Sequence, residues 1–195
     1  MQVEKRTQED RRSATRQSLL DAARTLFAEK GYAATATPDI VAAAGVTRGA
    51  LYHHFADKQA LFAAVVEAEH AAIANSVETA TDGEAAPPDM MDALVAGGEA
   101  FLAAMQESGR RQIMLVDAPA VLGREAVDEI DARYGLRTLI EGVACAVDIK
   151  AIPALPVLPM AHLLEAIFDR AALAPPDQLD DYRLAMNALI RGLGR

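Results

Sequence analysis

The chain has 195 residues, 52% of them hydrophobic, enough to bury a sizeable core in one large domain or in a small one followed by a medium one. Its formal net charge is −9, a balance that at first sight argues against a nucleic-acid binder. That charge is unevenly spread: residues 1–58 hold nine Lys/Arg against seven Asp/Glu, a net of +2, while residues 59–195 hold ten against 21, a net of −11. Screening confines exposed charges to a range of roughly 8–10 Å, so an acidic body does not stop a distant, locally basic segment from gripping phosphates.

The single cysteine, Cys145, rules out an intrachain disulfide, and its neighbours Ala144 and Ala146 predict a buried, inert thiol. Apolar runs are interrupted by proline and charge before reaching the roughly 18–20 residues that span a bilayer. The charged N-terminus has no apolar stretch of the kind that directs secretion. The expectation is a cytoplasmic protein with no membrane role.

Residues 1–12 are polar and predict a frayed arm. Leu19, Leu20, Ala23, Leu26 and Phe27 form one apolar stripe, predicting a helix over Ser13–Lys30 closed by Gly31. A short helix follows over Pro38–Ala44, with Thr37 as its cap and Pro38 at the first helical position, where no N–H is needed. Gly45 ends it. Thr47 caps a third helix reaching about His54, and Asp57 caps a fourth whose positions Leu61, Phe62, Val65, Val66, Ile73 and Val77 keep the helical period.

Thr81–Pro88 reads as a connection. Beyond it, Met90, Met91, Leu94, Val95, Phe101, Leu102 and Met105 stripe a helix that contains Gly97–Gly98, a pair costing helix stability and implying close packing or space for a ligand. Gly109 breaks it. A short apolar piece, Arg110–Asp117, leads to a turn framed by Pro119 and Gly123 and then to a longer segment over Arg124–Ile149. The proline-rich Ala151–Pro159 is a connection. Two helices close the chain, Met160–Leu173 and Gln178–Leu193. With no strand alternation, the fold class is all-α: an N-terminal three-helix domain over residues 1–58 and a C-terminal helical domain over residues 59–195.

Ala36–Phe55 reads ATPDIVAAAGVTRGALYHHF and has every part of a helix-turn-helix. Ile40 and Val41 face inward, and Ala43 and Ala44 let the second helix approach. Gly45 takes the turn's left-handed conformation. Val46 fills the space between the helices, and Leu51 and Phe55 face the core. Thr47, Arg48, Gly49, Tyr52, His53 and His54 remain outside. Thr47 and its helix N-terminus suit a phosphate, Arg48 suits a guanine edge or a phosphate, and Gly49 permits close backbone approach. Tyr52 and His53 reach phosphates or thymine methyls, while Thr37 and Lys58 hold the flanking backbone. His53 and His54 diverge by about 100° on a helix and do not share a metal readily.

GYAAT (Gly31–Thr35), DIVAAAGVTRGALYHHFADKQALF (Asp39–Phe62) and the helix before them resemble the N-terminal domain of TetR/AcrR-type regulators across residues 13–65, about a third of the chain. The resemblance implies an all-helical homodimer with two DNA-binding heads and a ligand-binding core, usually a repressor released by its ligand. It also implies that Thr37, Arg48, Gly49, Tyr52, His53, His54 and Lys58 occupy DNA-contacting positions. The sequence departs from the family at Ala36-Thr37-Pro38, where a capping box ending at the Asp39 position is common. Asp117–Leu136 resembles a stretch of some C-terminal domains in the family without identifying a ligand.

Phe101 and Met105, with Met90, Met91 and Met114, are candidates for an adaptable apolar pocket, and Tyr134 for its polar handle. This points to a small apolar effector. Leu164, Ile167 and Phe168 on one C-terminal helix and Met186, Leu189 and Ile190 on the other are candidates for a four-helix homodimer interface. No nucleophile set, phosphate loop, metal spacing or paired acid–base carboxylates stand out, so the reading includes no enzyme activity, cofactor or metal. The competing classes are an enzyme acting on a small apolar molecule in the C-terminal cavity and a ligand-independent DNA-binding protein; double-stranded operator DNA, an effector and a second copy of the chain are the expected partners.

Overall fold

The computed structural model describes residues 8–82, 87 and 89–194, and among these every regular element is helical. Helix α1 (Gln8–Ala34) begins earlier than the sequence suggests, with Glu9 and Asp10 in its first turn, where carboxylates suit the positive end of a helix. Only residues 1–7 of the expected arm lie outside the described residues. Gly31 breaks the helical path of α1 at φ 75° and ψ 166°, a conformation close to glycine-only, so the regular part ends where expected and one further turn follows the kink.

Helix α2 (Thr37–Ala43) corrects one expectation. Its N-cap is Ala36, no side chain caps it, and Thr37 is already inside the helix. The short helix is held instead by tertiary packing, with Ile40 fully buried. Gly45 makes the turn at φ 65°, and α3 (Arg48–His54) starts from Thr47, whose Oγ1 accepts from Ala50 N at 3.1 Å. Asp57 caps α4 (Lys58–Thr81) by accepting from Ala60 N at 2.7 Å.

Helix α4 packs on α1 in the head and on α5 (Met90–Ala104) in the body, so it belongs to both parts. By length and composition it is apolar enough to cross a membrane, which the interruptions by charge did not suggest. Here Leu61, Phe62, Val65, Val66 and Ile73 bury it within the protein's own core. Phe27 and Phe62 meet edge-on at 5.0 Å, and Tyr32 stacks against Phe62 at 4.8 Å. This aromatic cluster joins α1 to α4.

The body continues through a π-helical segment, Gln112–Asp117, into α6 (Ala118–Leu122). The expected long helix over 124–149 is two helices, α7 (Arg124–Asp131) and α8 (Gly135–Asp148), separated by a turn at Ala132–Tyr134. Helices α9 (Val157–Ala172) and α10 (Leu179–Arg191) complete the body, with Pro175 and Pro176 between them. Both alternatives left open for the glycine pair hold, since Gly97 and Gly98 line the cavity described below and Gly98 also permits close packing. A Cβ there would stand 3.1 Å from Phe168 and 3.2 Å from Met186, so α5 lies tight against α9 and α10. Cys145 is exposed, against the expectation of a buried thiol, because the alanine flanks do not turn it toward the core.

Candidate nucleic-acid interface and the cavity behind it

The recognition face is built by the division of α3 into two sides. Leu51 and Phe55 anchor it to α1 and α2, and Thr47, Arg48, Gly49, Tyr52 and His53 are left exposed. Arg48 and Tyr52, one turn apart, touch each other: the guanidinium donates to Tyr52 Oη at 3.4 Å and lies 5.5 Å from the ring centroid. The pair presents a planar cation and a phenol together on a solvent-facing surface, as groove and phosphate contacts require.

His54 is only half exposed. Burial pushes its pKa down, and so do the charges of His53, Arg12 and Arg16. Arg16 sits over the Phe55 ring at 5.4 Å. The first turns of α1 therefore bring Arg12 and Arg16 beside the recognition helix, two residues that sequence reasoning left out of the interface. Their signal was present as basic positions, Arg12 in the segment read as a frayed arm and Arg16 in the first turn of the predicted helix. Lys58 is partly committed elsewhere: its ammonium donates to the carbonyls of Tyr32 and Thr35, both at 2.9 Å, and lies 4.0 Å over the Tyr32 ring. One of its N–H groups remains for a phosphate. Thr37 is half-buried at the start of α2.

The head is tied to the body at three points. Glu69, buried on α4, accepts from Arg24 of α1 at 2.9 Å and also from the buried Arg110. Asp117, at the end of the π-helical segment, accepts from Tyr32 N at 2.8 Å. Gln59 donates to Val121 O at 3.1 Å.

Behind these ties lies a cavity of about 820 Å³ between α4, α5, α7, α8 and α9. Phe101, Met105, Met90 and Met114 line it, as does Phe168, which the sequence stripe assigned to the dimer interface. Tyr134 does not line it. Its hydroxyl lies 3.2 Å from Glu67 Oε1, and burial, followed by the Glu67 charge, raises its pKa. The polar part of the lining includes instead a cluster of His70, Asp128, Asp131, Glu165 and Asp169, spread over three helices and missed in the sequence, and the guanidinium groups of Arg124, Arg137 and Arg170.

The expected dimer residues divide in two. Leu164, Met186 and Ile190 are buried in their own chain, and Ile167 and Phe168 are half-buried. Only Leu189 of that set is exposed. Leu184 on α10 is exposed as well, and α9 exposes Leu163 and Leu158. Helices α9 and α10 thus keep exposed leucines besides the apolar side that each packs inward. That inward side is the one the sequence stripe picked out.

Comparison with known proteins agrees with this architecture. Residues 19–65 match the model of "Bacterial regulatory proteins, tetR family", and residues 91–194 match that of "Tetracyclin repressor-like, C-terminal domain". The chain is similar to the transposon Tn10 TetC protein of Escherichia coli, 31% identical over 130 residues, which are 67% of this chain and 64% of that protein. It is 51% identical to the HTH-type transcriptional regulator AcrR of Shigella flexneri over 53 residues, 27% of this chain and 25% of that one. Both matches span less than two thirds of the relative's own length. The crystal structure of a TetR-family transcriptional regulator from Pectobacterium atrosepticum superposes with a TM-score of 0.74 at 30% identity, covering 97% of this chain and 98% of that one. The C-terminal match alone takes in more than half of the residues, and together with a helix-turn-helix head in the family's order it establishes that this chain belongs to the TetR family of bacterial regulatory proteins.

Proposed function

We propose that the protein is a ligand-responsive transcriptional repressor that binds a near-palindromic operator in the cytoplasm as a homodimer and is released by a small molecule held in the body cavity. The observation that carries the DNA-binding part is the split of α3, with Leu51 and Phe55 buried and Thr47, Arg48, Gly49, Tyr52 and His53 exposed as one polar and aromatic face. In this reading Arg48 and Tyr52 contact bases or phosphates. Thr37, Thr47, His54 and the remaining donor of Lys58 hold the flanking backbone, joined by Arg12 and Arg16 of α1.

A second copy supplies the second head. Two recognition helices about 34–36 Å apart match successive major grooves on one side of the duplex. The outward apolar residues of α9 and α10, Leu163, Leu184 and Leu189, support a twofold four-helix contact, in place of the buried set.

The release step is supported by one segment that serves both sites. Met114, Leu115 and Pro119 line the cavity, while Asp117 between them accepts from Tyr32 N at the end of α1. A ligand that prefers one arrangement of this segment biases the position of the head, and only such a differential affinity shifts the equilibrium. The reading is tested by selecting the operator from random duplexes and measuring its affinity for the parent, Arg48→Ala and Tyr52→Ala. A loss of about 1–3 kcal/mol per substitution is expected for base-edge contacts. Unchanged affinity in both variants would remove α3 as the reading head.

A further inference from the structure

The cavity has a chemical bias that its apolar walls do not reveal. His70 of α4, Asp128 and Asp131 of α7, and Glu165 and Asp169 of α9 converge on it. Asp131 Oδ1 is 3.1 Å from His70 Nδ1, and Asp128 is 3.9 Å from Arg124. Among the described residues neither Glu165 nor Asp169 has a Lys, Arg or His nitrogen within 4.0 Å. In this cluster four carboxyl groups therefore stand with Arg124 and His70, and the guanidinium of Arg170 lines the same cavity.

Two buried atoms in this cluster have no nitrogen or backbone partner, His70 Nε2 and Asp131 Oδ2, and the Glu165 carboxyl hydrogen-bonds the Asp131 side chain. Both belong to residues of the cavity lining. Unsatisfied buried polar atoms are uncommon and costly, and one that faces a cavity is completed by a water or by a bound ligand. Elsewhere in the lining Arg137 bridges Glu78 at 3.0 Å and Glu141 at 3.3 Å, and Arg170 donates to Tyr182 Oη at 2.5 Å, so over the whole wall three arginines stand against seven carboxyl groups.

We propose that this cavity takes an organic cation with an apolar body, its ammonium held by Asp131, Glu165 and Asp169 and its apolar part packed against Phe101, Met105, Met114 and Phe168. The inference rests on the reading of the cavity as the effector site and names the class of effector, adding a positive charge to the apolar molecule that the sequence suggests. An ammonium donates to the Asp131 carboxylate in place of the Glu165 proton and neutralises the carboxylates crowded there. Burial first, and then the hydrogen-bonded Asp131, raise Glu165 to about 8, so in the empty cavity it holds a proton at neutral pH. A bound cation favours the ionised form and drives that proton off. An anion meets uncompensated carboxylates, and a neutral ligand leaves the proton in place. No three His, Cys, Asp or Glu residues among those described have a spacing that would hold a metal ion.

The test compares three probes with one ten-carbon chain: decylammonium, decanol and decanoate. Each is titrated calorimetrically into the full-length protein at pH 7, in buffers of low and high ionisation enthalpy. Decylammonium is expected to bind at least tenfold more tightly than decanol, with proton release, and decanoate more weakly than either. The double variant Glu165→Gln, Asp169→Asn is expected to bring decylammonium down to the decanol level and abolish proton release, with a melting temperature at pH 8 no lower than the parent's. If that variant does not fold, the charge series and the proton release of the parent still decide. Decanol or decanoate binding as tightly as decylammonium, cation binding that survives the double substitution in a folded variant, or no binding by any probe would each overturn the proposal. Operator affinity measured with each probe separates the two readings. Release by decanol or decanoate alone keeps the effector role and removes the cation, whereas charge-dependent decylammonium binding that leaves operator affinity unchanged keeps the cation site and removes the effector role.

Discussion

Gly109 lies against Ala28 of α1, and Gly109→Ala is a sharp test of how the head and the body are joined. The residue follows α5 and has φ 74°. A Cβ there would stand 2.2 Å from Ala28 Cβ, 2.4 Å from Ala28 Cα and 2.9 Å from Ala28 O. Ala28 has no rotamer with which to give way, so α1 itself must move off the turn. Two costs add: about 1–3 kcal/mol for holding a non-glycine residue at positive φ, and about 1–3 kcal/mol or more for overpacking. Gly123 is the internal control. It has φ 85°, and nothing lies within 4 Å of an added Cβ, so Gly123→Ala carries only the first cost. Urea unfolding of parent and both variants measures the difference. With a slope of order 1–3 kcal/mol per molar, an extra 2 kcal/mol lowers the midpoint by about 1 M relative to the control. Displacement of α1 also carries the recognition helix with it, so operator affinity is expected to change in Gly109→Ala beyond its change in Gly123→Ala. Equal midpoints for the two variants would refute the claim that backbone contact at Ala28 sets the seat of the head.

Glu69→Ala is expected to destabilise by about 3–5 kcal/mol in chemical denaturation, because it leaves the buried Arg110 and its neighbour Arg24 without their shared carboxylate, whereas Glu107→Ala, at the exposed edge of the same network, costs under about 1 kcal/mol. Burial and neighbouring carboxylates raise Asp169 to about 6 and Glu165 to about 8, so the folded state holds these protons more tightly than the unfolded chain does. The resulting stability is present below the ordinary carboxylate range and is lost as pH rises toward 8, so the stabilisation of Glu165→Gln, Asp169→Asn over the parent, followed by thermal melts, is expected to grow from pH 5 to pH 8. The double variant Leu184→Glu, Leu189→Glu places charges on the outward face of α10 and is expected to give a folded monomer in sedimentation, while the parent sediments as a dimer; a dimer in both would move the interface elsewhere.

The head was legible because its determinants are local. Thr47 and Asp57 cap the helices they precede, Gly45 takes positive φ, and Ile40, Leu51 and Phe55 are buried, all within about twenty residues of one another. Where a local rule failed, packing had replaced it: α2 has no side-chain cap at Ala36 and is held by Ile40 in the core. The body was legible in outline only. Hydrophobic periodicity located α9 and α10, but both helices also keep exposed leucines, and periodicity does not say which apolar residues meet their own chain. Leu184 keeps 72% of its surface and Met186, two residues on, keeps 1%. The more regular stripe turned out to be the intrachain one.

The cavity's polar cluster marks the boundary of what spacing can reveal. His70, Asp131 and Glu165 are separated by 61 and 34 positions and carry no mutual pattern in the sequence. Each stands alone among residues that read as an ordinary amphipathic face. Only the packing of α4 against α7, and of α8 against both α7 and α9, brings them together. The same separation explains why the apolar lining was partly found and its chemistry was not. Phe101 and Met105 lie on one helix and show up as a stripe, whereas a site assembled from one side chain per helix has no period. The proposed effector site therefore draws on the part of the sequence where local reasoning has least reach, and the proposed DNA-reading face on the part where it has most.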